Sequence, residues 1–421
     1  MTQLASRAPD PAVRRLTVTL YGYAFLSDLV LLYPLYVVLF ADTGLSVGQI
    51  SSLFVLWSAA GIVFEVPSGA WADVVSRRLL LCLAPLVTGA GFALWVLVPS
   101  YPAFAVGFLL WGAGGALVSG ALEALVFTEL DRLGAAGRYA RVLGRARTAG
   151  VLGVVVTGVL AGPVLAFGGY PAVGVATVFA CLLAAAVATR FPEHRRTSTV
   201  ASDAPVSDQD DADDPGWWET MRAGVAQVRT HPPVRAAVLL VAVVAADWGA
   251  LDEFTPLLAL DTGVGAKAVP LLLLLLWAGV TVGGLLAPAG ERLGTRGYAA
   301  LLALVAVALA GGALIGHPAG FVLIAVAFGA AQLATVLADA RLQARITGTS
   351  RATVTSLAGM ATDVLIIVTY AGYGLLATVA SNAVAFALTA GVYLVVALVL
   401  VTQRRSPAHL ASSPRSTGPG R

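Results

Sequence analysis

The residues of this chain that could do chemistry inside an apolar setting are acidic. Asp28, Glu65, Glu123, Asp247, Asp252, Glu253 and Asp363 each lie within a long apolar run. A carboxyl group held away from water and cations favours its protonated form, and it can exchange that proton when water reaches it. Charges are costly in lipid, so such residues mark solute or proton pathways by default. The plainer alternative is a carboxyl tied down by hydrogen bonds between helices. Asp28 lies about eleven residues, or roughly 16 Å, into its run, near the middle of a bilayer. Asp247 and Asp363 lie at similar depth, and Glu65 and Glu123 lie nearer one end. Asp252 and Glu253 come just before Pro256. The pathway reading is favoured at Asp28, Glu123 and Asp247, while Glu65 and Asp363 suit either reading equally.

Aromatic residues share these runs. Tyr33, Tyr36, Trp57, Trp111 and Trp248, with Trp277, Tyr370 and Tyr373, can form a π-rich chamber suited to lipophilic cations or neutral molecules. For the set as a whole, packing is the plainer reading. No Lys or Arg reaches mid-run depth, which argues against phosphate or organic anions as cargo. Gln332 and Thr335 offer hydrogen bonds in a later run. There is no glycine-rich loop followed by a phosphate-binding lysine. The four histidines make no ligand-spaced cluster, and Cys82 and Cys181 lie in separate runs that suit packing. No metal, cofactor or nucleic-acid partner is expected.

The elements that must position these groups are transmembrane helices. Of 421 residues, 58% are hydrophobic and 12% are charged. Soluble domains carry about 25% charged residues. Apolar stretches long enough to cross lipid recur from end to end and lack the alternation of a β-barrel. Twelve predicted segments result, at 17–40, 47–71, 79–98, 102–128, 141–165, 171–190, 234–259, 268–289, 297–315, 319–342, 352–379 and 382–403. Of 26 Lys and Arg, all but Lys267 fall on one side of this arrangement. The positive-inside rule then puts both termini in the cytoplasm of a multi-pass cell-membrane protein. Residues 1–190 are expected to form one six-helix bundle and 233–405 a second. Residues 191–232 form a central cytoplasmic loop, with an acidic stretch and an amphipathic helix from Trp217, and 406–421 form a disordered tail. Met1 to Arg15 lack the apolar core of a cleaved signal.

The two halves repeat weakly. Asp73-Val-Val-Ser-Arg77-Arg78 follows the second segment, and Glu291-Arg-Leu-Gly-Thr-Arg296 follows the eighth. Gly69 and Asp73 stack on one helix face. The run Gly69-x-x-x-Asp73-x-x-Ser76-Arg77-Arg78 resembles the loop between helices 2 and 3 of the major facilitator superfamily, with Ser76 in place of a glycine. A plain positive-inside loop is its bland reading. Gly158-x-x-x-Gly162-Pro163 is similar to that superfamily's helix-5 antiporter signature, although the following Gly168-Gly169 comes two residues late. Ordinary glycine packing explains it equally well. Glu65-Val-Pro-Ser-Gly69 resembles a bacterial drug-exporter-like subgroup. Phe108 stands where the superfamily's drug–proton antiporters carry a helix-4 arginine, so a relay through that arginine is not expected.

The resemblance covers about residues 15–405. It implies an all-α membrane protein of twelve helices in two pseudo-symmetric bundles, acting as a monomer by alternating access. It places Asp73 against the start of the eleventh segment as a latch, with Gly69, Arg77 and Arg78 in the same gating motif. The expected function is proton-coupled efflux of small lipophilic compounds, powered by the proton gradient and involving no catalysis. Uptake of a metabolite is the first alternative. A non-transporting membrane receptor is the second, disfavoured because 191–232 is too short and polar for a folded domain.

Overall fold

The computed structural model describes residues 11–194, 217–346 and 351–402; the side chains of 65–74, 217–221, 223, 224 and 352 are outside that description. Every regular element in it is helical. The first half comprises α1 (Pro11–Ser27), α2 (Tyr36–Asp42), α3 (Val47–Val74), α4 (Arg77–Leu97), α5 (Tyr101–Val118), α6 (Ala121–Arg132) and α7 (Tyr139–Ala188). Then α8 (Trp217–Thr230) leads into α9 (Pro232–Asp252), α10 (Thr255–Asp261), α11 (Val269–Leu285), α12 (Ala287–Gly290), α13 (Thr295–Leu314), α14 (Gly320–Gln343), α15 (Arg351–Leu376) and α16 (Asn382–Thr402). Prolines open several of these helices, at a position where a missing N–H costs nothing. Ser76 caps α4 by accepting from the Leu79 N–H at 3.1 Å.

By length and composition, ten stretches among the described residues qualify as membrane spans. One of them, Ala136–Ala188, is a hairpin rather than one rod. Gly168 and Gly169 leave helical geometry within it, Gly169 with φ of 65°. The arm before the turn passes Asp28, and the arm after it runs back from Leu32, bonded to Thr177, to Gly22, beside Val187. The predicted first segment is absent from the ten because it is broken, as α1 and α2.

Two bundles follow from which helices touch. In the first half α1 packs on α7, α3 on α5, and α4 on both α5 and α7. In the second half α9 packs on α15, α11 on α14, and α13 on both α14 and α16. The same set of neighbours therefore occurs twice in chain order, as a duplicated architecture requires. A further repeat, unnoticed in the sequence, marks it. Asp42-Thr43-Gly44 ends α2 and Asp261-Thr262-Gly263 ends α10, with glycine φ of 90° and 84°. Only glycine adopts that left-handed turn without strain.

The apolar core shows how the bundles meet. At the arginine-poor end one continuous cluster joins them, with Tyr36, Phe40 and Phe54 from the first half and Leu251, Phe254 and Tyr373 from the second. At the arginine-rich end each bundle keeps its own cluster, around Leu16, Leu20, Leu81 and Leu130 in one and Val234, Val238, Leu342 and Val354 in the other. The molecule is closed at the arginine-poor end.

Candidate functional site

The predicted continuous first and seventh helices are both interrupted, each beside its carboxylates. α1 stops at Ser27, and Asp28 begins a non-helical stretch that lasts to Leu35. α9 stops at Asp252, and Glu253 and Phe254 link it to α10. Pro34 and Pro256 accompany the two breaks, and each lacks the N–H that would continue a helix. Irregular backbone at membrane depth is tolerated only where protein satisfies it or water reaches it. Here two threonines of α7 do so. The Thr157 hydroxyl donates to the Asp28 carbonyl at 3.3 Å. The Leu32 N–H donates to the Thr177 hydroxyl at 3.0 Å.

A cavity of about 480 Å³ opens at the first break. Asp28, Tyr33, Trp111, Thr88, Thr157 and Trp277 contribute to its wall. Asp28 is the one carboxylate in that wall, and the wall contains no Lys, Arg or His among the described residues. The carboxylate is exposed and lies over Gly150, where any Cβ would collide with Oδ2. Gly153 brings α7 close to the Phe25 carbonyl in the same way. Glycine is therefore required at 153, where the clash is with backbone, whereas a side chain at 150 would push the Asp28 carboxylate aside.

Aromatic rings form the closed end of this cavity. Tyr33 faces Trp277 of the other half at 5.8 Å and Trp111 at 6.0 Å. Trp57 stacks on Trp111 at 4.8 Å. Phe108 is fully buried among Trp57, Trp95 and Phe40, so aromatic packing fills the place of the missing arginine. Beyond the rings the Tyr36 hydroxyl donates to Glu253, joining the two broken helices across the bundle interface. Phe54 meets Phe254 at 5.3 Å and Tyr370 at 5.2 Å, and Phe254 stacks on Tyr373 at 3.8 Å. Such ring pairs contribute about 0.5–1.5 kcal/mol each beyond their buried area.

Other predicted residues lie apart from the cavity. Trp248 belongs to the second bundle, where its N–H donates to Tyr393 at 3.0 Å and its indole to Thr335 at 3.2 Å. Asp247 is buried there at 4% exposure, with Oδ2 lacking a hydrogen-bond partner among the described residues. Gln332 on α14 and Asp363 on α15 are half-buried and absent from the cavity wall. The predicted fourth helix is two helices, split at Ser119–Gly120, where Gly120 takes φ of 73°. Glu123 starts the second piece and is exposed, away from the cavity. The side chains of Glu65, Gly69 and Asp73 fall outside the described residues, and so does the latch expected of them.

Arg77 and Arg78 begin α4, and Arg77 works within its own bundle. Its N–H donates to Glu193 at 2.8 Å and its guanidinium to Thr128 at 3.1 Å. Glu129 was missed in the sequence, although it is 2% exposed and pairs with Arg132 and His194, each at 3.1 Å. Its i,i+3 spacing from Arg132 was the available signal. The helix-5 residues Gly158 and Gly162 lie on the bundle interface. A Cβ at Gly158 would strike Leu274, and one at Gly162 would strike the Lys267 carbonyl. Pro163 follows them inside α7.

A duplicated helical bundle, closed at one end around a cavity with broken helices in both halves, is the architecture of a membrane transporter. The profile of the Major Facilitator Superfamily matches residues 18–334, and the chain belongs to that family. Among solved structures, the nucleoside transporter NupG has a TM-score of 0.74 at 11% identity, covering 94% of this chain and 100% of that one. A bacterial homologue of the human lysosomal transporter Spinster, inward-facing and unoccupied, has 0.66 at 16% identity, covering 94% and 96%. A D-xylose–proton symporter has 0.60 at 15%, covering 92% and 96%. At these identities the likeness is one of fold. No curated protein matches the sequence.

Proposed function

We propose that the protein is a proton-coupled carrier that exports small lipophilic solutes, cationic or neutral, across the cell membrane as a monomer. The observation that carries this reading is the cavity wall, which is aromatic and apolar with Asp28 as its one carboxylate and no basic group. An anion at that depth would meet uncompensated negative charge at low dielectric, costing several kcal/mol at the order-of-magnitude level. A cation or a neutral ring system meets π faces instead. Asp28 is reachable in this conformation, so it can exchange a proton for a cation at one site. The arginine-rich end is assigned to the cytoplasm by its charge. No resident cofactor enters the scheme, and the proton gradient supplies the energy.

Uptake of a polar metabolite is the second reading. The hydroxyls of Thr88, Thr157 and Tyr33 in the wall favour it, and the solved structures of similar fold include a nucleoside transporter and a D-xylose–proton symporter. Proteoliposomes decide between these readings. Cationic, neutral and anionic probes of similar size are compared under an imposed proton gradient, with and without a protonophore. Preferential, protonophore-sensitive transport of the cationic and neutral probes is expected. Preference for the anionic set, or indifference to the protonophore, overturns the proposal; movement with the proton gradient rather than against it selects uptake.

A further inference from the structure

The two bundles differ at one matching place on the arginine-rich end. In the first half, the end of α6, the start of α4 and the residues after α7 are sealed by acid–base contacts. Glu129 pairs with Arg132 and His194, and Glu193 accepts from Ser76 and the Arg77 N–H. In the second half, the corresponding end of α14, start of α13 and end of α16 enclose an open cleft of about 700 Å³ with α9. Arg341 in the last turn of α14 and Arg345 in the turn just beyond its end stand at its mouth, four residues apart. The Arg341 guanidinium is fixed 3.9 Å over the Tyr298 ring and donates to the Leu293 carbonyl at 3.0 Å. Arg345 donates to the Pro233 carbonyl at 3.2 Å. A guanidinium carries five N–H donors, so most of each fork is left over. Among the described residues neither Arg341 nor Arg345 forms an ion pair, and neither Glu291 nor Asp339 comes within pairing distance of them.

Below the arginines the cleft is aliphatic. Leu239, Val395 and Val399 line it and are 53%, 60% and 44% exposed. We propose that this cleft is a binding site for one anionic phospholipid. The phosphate sits between Arg341 and Arg345, and an acyl chain lies between α9 and α16 along Leu239, Val395 and Val399. Charge complementarity and depth together select this occupant. Two unpaired cations at the membrane surface call for a phosphate, and an aliphatic groove running from them into the hydrocarbon calls for a chain attached to it. The lipid supplies the negative charge that Glu129 and Glu193 supply in the first half.

The test uses the purified full-length protein in detergent, followed by native mass spectrometry and thermal unfolding. It is titrated with phosphatidylglycerol, with phosphatidylcholine of the same chains, and with inorganic phosphate. Retention of phosphatidylglycerol and a rise in Tm with that lipid alone are expected. Arg345→Gln should weaken phosphatidylglycerol binding about fivefold, since an arginine near an anionic surface is worth about 1 kcal/mol. Val399→Trp, which leaves both arginines in place and fills the groove, should weaken it too. Equal retention of the two lipids, an equal Tm rise with inorganic phosphate, or wild-type lipid affinity in both variants overturns the proposal.

Discussion

Asp28 owes its position to three neighbours rather than to its own helix. Gly150 leaves room for the carboxylate, Gly153 lets the backbone of α7 approach, and Thr157 takes up the carbonyl that the break sets free. Asp28→Asn keeps the size and hydrogen-bonding reach of the side chain but cannot release a proton. Gradient-driven accumulation by this variant in proteoliposomes should therefore be lost, while exchange of labelled for unlabelled solute continues. Accumulation at the wild-type level would move the coupling role elsewhere, with Asp247 next in line because its Oδ2 is buried without a partner among the described residues. The acidic character of the site was legible in the sequence, because a carboxylate in an apolar run is conspicuous. Which carboxylate faces a cavity was not. The sequence favours Asp28, Glu123 and Asp247 alike as pathway residues, yet one lines the cavity, one is exposed away from it and one is buried in the second bundle. Those differences arise from helix rotation and from breaks that depend on packing.

At the scale of helices, apolar length and the placement of arginines were enough to find the segments. Continuity was the part that failed. Residues 29–32 are Leu-Val-Leu-Leu, so hydropathy reads straight through the first break. Pro34 was the local signal, and the matching Pro256 in the other half strengthens it. The crossing of α1 and α7 beside this break has no slack. Gly153→Val would drive a side chain against the Phe25 carbonyl, a backbone atom that cannot move aside. Overpacking of this kind costs about 1–3 kcal/mol. Thermal unfolding in detergent should show the loss, with transport reduced in parallel. Gly144→Ala is the control, because nothing lies within 4 Å of the Cβ it adds. Its stability should match or slightly exceed wild type.

For the molecule as a whole, the asymmetry of the core defines the state observed. The bundles share one core at the arginine-poor end and hold separate ones at the other. Ser51 on α3 and Gly374 on α15 meet across the closed end, where a Cβ at Gly374 would lie 2.7 Å from the Ser51 Cβ. A disulfide wants about 3.8 Å between these atoms, so cysteines there can bridge if the helices part by about an ångström. With Cys82 and Cys181 replaced, Ser51→Cys combined with Gly374→Cys should cross-link under mild oxidant and stop transport until reduced. Failure to cross-link would mean that this closure is rare in the membrane. The make-up of the closed end has one more consequence. It is a pile of rings, including Phe54, Phe254, Tyr370 and Tyr373, with Tyr36 and Glu253 as its polar tie. Parting it wets aromatic surface, and newly wetted apolar surface raises heat capacity. If opening limits turnover, the Arrhenius plot of transport should curve upward rather than run straight, its apparent activation enthalpy rising with temperature, so a carrier with this seal would speed up disproportionately as it is warmed.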